Sequence, residues 1–107
     1  MVKRKLPEKI ISEVIEYKKL LEADNLPITN VYIFGSYAKG NAKEGSDIDV
    51  AVISPSFKSP WSALDYLYGK LPYGKGWTIE PLGFSPTDFE SKYSILINEI
   101  RTYGVEV

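Results

Sequence analysis

Two residue types with the widest catalytic use, cysteine and histidine, are missing from all 107 positions. Without cysteine there is no disulfide framework, zinc-thiolate site or thiol nucleophile. Without histidine, imidazole general bases, His-ligated metals and Ser-His-Asp catalysis are excluded together. Any metal must then be held by oxygen, which favours magnesium, manganese or calcium. No apolar run approaches the length of a membrane span. Lys3-Arg4-Lys5 has the basic start of a secretory signal, but Pro7-Glu8-Lys9 follows where an apolar core belongs, so a cytoplasmic protein is expected. A basic excess is lacking too: 13 basic residues face 14 acidic ones, for a net charge of −1, which speaks against general nucleic-acid binding.

What is present is ordinary for a globular chain, with 44% hydrophobic and 25% charged residues, and the length suits one domain over residues 1–107. Ile10, Val14, Tyr17 and Leu21 recur at helical spacing, predicting a helix from Pro7 to Asp24. Val31-Tyr32-Ile33-Phe34 reads as a buried strand ended by Gly35. Ser36 to Asn41 is a short helix or turn, and Asp47 to Ile53 a second strand. Ser59-Pro60 opens a helix to about Leu71 with Leu64, Leu67 and Tyr68 inward. Trp77 to Phe84 is a third strand in which Pro81 argues for an edge position. Ser85-Pro86-Thr87-Asp88 starts a final helix, with Phe89, Tyr93, Leu96, Ile97, Ile100 and Tyr103 on one face up to Gly104. The expected fold is α/β (α+β): a mixed sheet of few strands flanked by helices, in the order α-β-α-β-α-β-α.

The chemistry concentrates in one stretch. Gly35-Ser36 forms a small phosphate-binding turn, and Asp47-Ile48-Asp49 follows after a ten-residue spacer. Side chains alternate along a strand, so Asp47 and Asp49 point the same way, roughly 6.5 Å apart along the backbone. Two hard anions beside a turn rich in N–H groups suit a magnesium–triphosphate complex. Gly35 lets the backbone approach phosphate because it has no Cβ, and Ser36 can donate from hydroxyl and backbone. The plainer readings are a solvated strand-edge pair for the aspartates and a simple strand-ending turn for the glycine-serine pair.

Gly35-Ser36-Tyr37-Ala38-Lys39-Gly40, the spacer, and Ser46-Asp47-Ile48-Asp49-Val50 closely resemble the minimal nucleotidyltransferases of the polymerase-beta-like superfamily. The resemblance covers most of the chain and implies a two-metal scheme, in which paired divalent ions stabilise the attacking and leaving oxygens. It implies that Asp47 and Asp49 bind two Mg²⁺ ions (or Mn²⁺), with Glu80 on the third strand as the third metal-binding and catalytic carboxylate. Glu80 is otherwise an exposed strand residue or ion-pair partner. Lys39 and Lys43 are candidate triphosphate contacts, and solvated lysines on the plainer reading. Tyr37 is expected to pack. Asp88 and Glu90 read as helix-start residues.

The same resemblance implies AMP transfer from ATP to an acceptor hydroxyl, with the protein serving as antitoxin to a helical HEPN-family toxin whose tyrosine is modified. Two alternatives stand beside it: a fold-retaining subunit that neutralises a partner by contact without turnover, and a small-molecule nucleotidyltransferase of the aminoglycoside-modifying kind. Larger relatives carry a helical substrate-binding domain for which 107 residues leave no room, so the second substrate is expected to come from another subunit, in a possible oligomer, or from another protein.

Overall fold

The computed structural model describes residues 6–107; Lys3, Arg4 and Lys5 lie outside them. Helix α1 (Glu8–Ala23) is followed by β1 (Asn30–Phe34), the one-turn α2 (Ser36–Lys39), β2 (Ile48–Ile53), α3 (Pro60–Gly69), β3 (Ile79–Phe84), α4 (Pro86–Phe89), α5 (Ile95–Tyr103) and β4 (Val105–Glu106). The strands form one mixed sheet in the order β3-β2-β1-β4. β1 runs antiparallel to both neighbours, while β2 and β3 are parallel, as the α3 crossover between them requires.

Alternation along the strands divides the core into two. Val31 and Ile33 of β1 and Ile48, Val50 and Val52 of β2 pack under α1 and α3, against Val14, Tyr17, Leu21, Ala63 and Leu67. Tyr17 also donates a 2.6 Å hydrogen bond to the carbonyl of Leu67, so the two helices are joined through a buried hydroxyl. On the opposite face Phe34, Ala51, Ile53 and Phe84 pack against Ile97 and Ile100 of α5. Ser59 accepts from the Ser62 N–H and Pro60 occupies the first turn, the start expected for α3. Pro81 does lie on an edge strand. The Thr78 and Phe84 carbonyls bond to β2, so by alternation Pro81 turns its backbone to the open edge and removes no ladder bond.

The order of elements departs from the expected α-β-α-β-α-β-α at its C-terminal end. The final helix is two helices, because Ser94 caps a new start by accepting from the Ile97 N–H at 3.1 Å. Arg101 closes the end of α4 by donating to the carbonyl of Phe89 at 2.6 Å and to that of Ser91, and Asn98 donates to the Lys92 carbonyl. Tyr93, expected inward, lies in the break and is 97% exposed. A fourth strand of two residues follows Gly104, where a Cβ would stand 2.3 Å from the carbonyl oxygen of Ile100. In α3 the inward positions are Ala63 and Leu67; Tyr68, expected inward, is 47% exposed. β2 begins at Ile48, one residue after Asp47, and β3 at Ile79, two after Trp77.

Candidate active site

The register draws the site together. Phe34 pairs with Asp49 across β1–β2, and Asp49 pairs with Glu80 across β2–β3. Adjacent strands lie about 4.8 Å apart, so the end of β1, Asp49 and Glu80 form one row across the sheet. Gly35 follows Phe34 at φ +72°, ψ −146°, a conformation essentially reserved for glycine that costs a side chain about 1–3 kcal/mol. It also lies hard against the row: a Cβ there would stand 2.0 Å from Oδ2 of Asp49. Gly35 and Asp49 are therefore in contact, with the chain held by the Lys39 N–H donating to the Gly35 carbonyl at 3.0 Å and the Asn41 N–H to that of Ser36 at 3.0 Å.

The carboxylates strain against one another. Burial raises the pKa of Asp49 above the ordinary aspartate value, and the charges of Asp47 and Glu99 push it further. Glu80 is raised as well, first by a hydrogen bond with Asp47, then by burial and by the charges of Asp47 and Asp49. An all-oxygen set of neighbouring carboxylates is chemically suited to a divalent cation. Among the described residues no group of three or more carboxylates converges closely enough to enclose one; Asp49 sits against the turn. Both Asp47 and Glu80 are exposed, which leaves their side chains free to re-aim.

Of the two candidate triphosphate lysines, Lys43 is exposed in a turn where its N–H donates to Ser46 Oγ at 2.8 Å. Lys39 is engaged: its ammonium donates to Glu99 on α5 and lies 5.6 Å over the ring of Tyr103. That hydrogen bond raises the Lys39 pKa. Glu99 thus faces both a cation and Asp49, a position that sequence reasoning missed because it comes from a helix sixty residues downstream with no local motif. Tyr68 was missed for another reason. Its helical phase predicted burial, whereas it stands in the field of the site: burial, then the charges of Glu80, Asp47 and Asp49, raise its hydroxyl pKa. Tyr37 packs against the α1/α3 core as expected. Behind the turn a cavity of about 560 Å³ is lined by Glu13, Tyr37, Ser46 and Trp77. Glu13 Oε2 is buried there without a hydrogen-bond partner among the described residues.

With this geometry in view, comparison with known proteins gives a consistent result. Residues 9–103 match the model of the nucleotidyltransferase domain. The chain belongs to the nucleotidyltransferase domain family. Two relatives from Methanocaldococcus jannaschii, both named "putative protein adenylyltransferase", are 39% identical over 60 residues and 37% identical over 62. Each match covers 53% of this chain, and 70% and 62% of the respective relative. Among solved structures, a toxin-antitoxin crystal structure with AMP-PNP matches with a TM-score of 0.60 at 28% identity, over 94% of this chain and 72% of that one. A "putative nucleotidyltransferase" from Sulfolobus solfataricus matches with a TM-score of 0.54 at 18% identity, over 75% and 68% of the two chains, and shares the fold. The mixed sheet and its flanking helices are thus those of a nucleotidyltransferase fold. No described helix is long and apolar enough to cross a membrane.

Proposed function

We propose that the protein transfers AMP from ATP to a tyrosine hydroxyl of a partner protein, a helical HEPN-family toxin, and thereby acts as its antitoxin. The observation that carries this reading is the contact of Gly35 with Asp49, in a row that continues to Glu80. The relatives' names and the toxin-antitoxin neighbour support the choice of a protein acceptor.

In this reading Asp47 and Asp49, with Glu80 re-aimed beside them, would hold divalent cations, Mg²⁺ or Mn²⁺. Such ions supply charge neutralisation at the attacking and leaving oxygens of an in-line displacement. The turn at Gly35-Ser36 binds the phosphates without steric obstruction. Lys39 exchanges Glu99 for the triphosphate. The tyrosine oxygen forms a bond to the α-phosphorus, the bond from that phosphorus to the bridging oxygen breaks, and pyrophosphate leaves with the electron pair. The phenolic proton passes to the Glu80 carboxylate.

The test is intact-mass analysis of a HEPN-family toxin incubated with the protein, ATP and magnesium. Wild type adds one or more AMP groups to the toxin; Asp47→Asn/Asp49→Asn adds none while still co-eluting with it. An unmodified toxin with wild type would sink the proposal. One observation favours a second reading, neutralisation by contact alone: Lys39 is occupied by Glu99. That reading requires the double variant to silence the toxin as well as wild type does.

A further inference from the structure

Trp61, Leu64 and Tyr68 recur on α3 at i, i+3 and i+7 and therefore share one face of the helix. That face is turned outward, with Trp61 79% exposed. α3 packs against β3, the strand whose outer edge is unpaired, and the two ends of this strip differ in chemistry. At one end Trp61 and Leu64 meet Leu82 and Phe84 of β3 and Leu96 of α5 around a cavity of about 210 Å³ with no charged side chain in its lining. At the other end Tyr68 stands among the charges of Glu80, Asp47 and Asp49.

The strand gives the same layout independently. Glu80, Leu82 and Phe84 alternate onto one face of β3, so the carboxylate and the cavity wall share that face, with Phe84 about 13 Å from Glu80. Along the helix, Trp61 and Tyr68 are separated by about 10 Å. Both rulers place the apolar cavity on the order of 10 Å from the reacting carboxylates. A volume of about 210 Å³ is below the roughly 300–1,000 Å³ of pockets that take whole ligands, and suits a single apolar side chain. Two anions lie along the strip: Asp65 on the same helix face as Trp61 and Tyr68, and Glu80 at its end.

We propose that this strip is the acceptor-binding surface, occupied by a tyrosine-bearing segment of a partner protein that places a leucine- or phenylalanine-sized side chain in the Trp61–Leu82–Leu96 cavity and basic residues along Asp65 and Glu80. In a polyproline II segment, with three residues per turn and about 3.1 Å rise, side chains three positions apart share a face and lie about 9 Å from each other, so the apolar residue lies three positions from the acceptor tyrosine. The inference rests on the protein-adenylylation reading above and names what that reading leaves open: the feature of the acceptor that the enzyme recognises. A small-molecule acceptor would have no use for a cavity so far from the reacting oxygen.

Two synthetic peptides test it, lysine-flanked Leu-x-x-Tyr-x-x-Leu and the same peptide with both leucines replaced by serine. Binding is read in the Trp77→Phe variant, where Trp61 is the sole remaining tryptophan. The leucine peptide shifts Trp61 emission to the blue and the serine peptide does not. Transfer is read by peptide mass with ATP and magnesium. The leucine peptide is preferred by about tenfold or more in kcat/KM, the effect of burying one such side chain, and Trp61→Ala reduces the preference to within about twofold without changing KM for ATP. Equal responses to the two peptides, or a preference that survives Trp61→Ala, overturns the inference. Leucine-specific binding with no AMP on either peptide supports the surface and instead overturns tyrosine adenylylation.

Discussion

The two faces of this sheet are made from alternate residues of the same strands and end in opposite conditions. On the α1/α3 face, Ile48, Val50 and Val52 are fully buried among aliphatic and aromatic neighbours. One residue out of phase, Asp49, Ala51 and Ile53 face α5, and only the last two are closed over. The row at Asp49 holds a positive-φ glycine, two carboxylates, Asp49 and Glu80, whose pKa values are raised by burial and neighbouring charge, and an ion pair reaching in from α5. A period of two lets the chain set a strained, charged site one peptide unit from a dry core. The closed face supplies the stability that the open end of the other face gives up.

The sharpest way to test that division is to cut each side separately. Ile33→Ala, on the closed face with no exposed surface, removes three carbons from a packed interior and is expected to cost about 3 kcal/mol in urea unfolding. Nucleotide affinity, measured below the unfolding transition, stays within about twofold. A large loss of affinity in the folded variant would mean that the two faces are not separable. Gly35→Ala comes next, at about 2 kcal/mol from the positive-φ, glycine-only conformation and the clash with Asp49. Unlike Ile33→Ala it should remove nucleotide binding as well, because the added methyl group can be accommodated only by moving the carboxylate. A Gly35→Ala variant with wild-type affinity for Mg-ATP would show that the contact with Asp49 is incidental.

Much of this was legible from the chain because its signals were local. The Gly35-Ser36 turn, its spacing to Asp47-x-Asp49, the edge proline and the caps at Ser59 and Ser85 each act within a few residues, and each stands where expected. What escaped depended on tertiary competition. Tyr93 fits a helical phase, but the Ser94 cap and the Arg101 bonds to the end of α4 make two short helices more favourable than one long one. β4 is two residues long and exists only because β1 offers a partner. Glu99 and Tyr68 join the site from α5 and α3 through packing, and no pattern around either residue announces it. Lys39 was singled out as a phosphate contact from its place in the motif, and sequence offered no sign that a carboxylate already holds it.

The smallest predicted effect is also the one that most directly weighs function against stability. Asp49 has a folded-state pKa raised above 3.8 by burial and by the charges of Asp47 and Glu99. The folded protein therefore binds that proton more tightly than the unfolded chain does. The resulting stabilisation is complete below the unfolded value near 3.8 and is lost as pH rises through the raised one. Asp49→Asn removes the titration and keeps the shape. At pH 7 the variant should be more stable than wild type, by under about 1 kcal/mol because part of the carboxylate faces water, and the two should converge as pH falls toward 3. Saturating magnesium then reverses the order, since the cation stabilises the folded wild type by mass action and finds a weaker site in the variant. Urea midpoints with and without magnesium read both halves. A variant less stable than wild type at pH 7 without magnesium would mean that Asp49 serves the fold, and the division between a stabilising face and a working face would fail at its central residue.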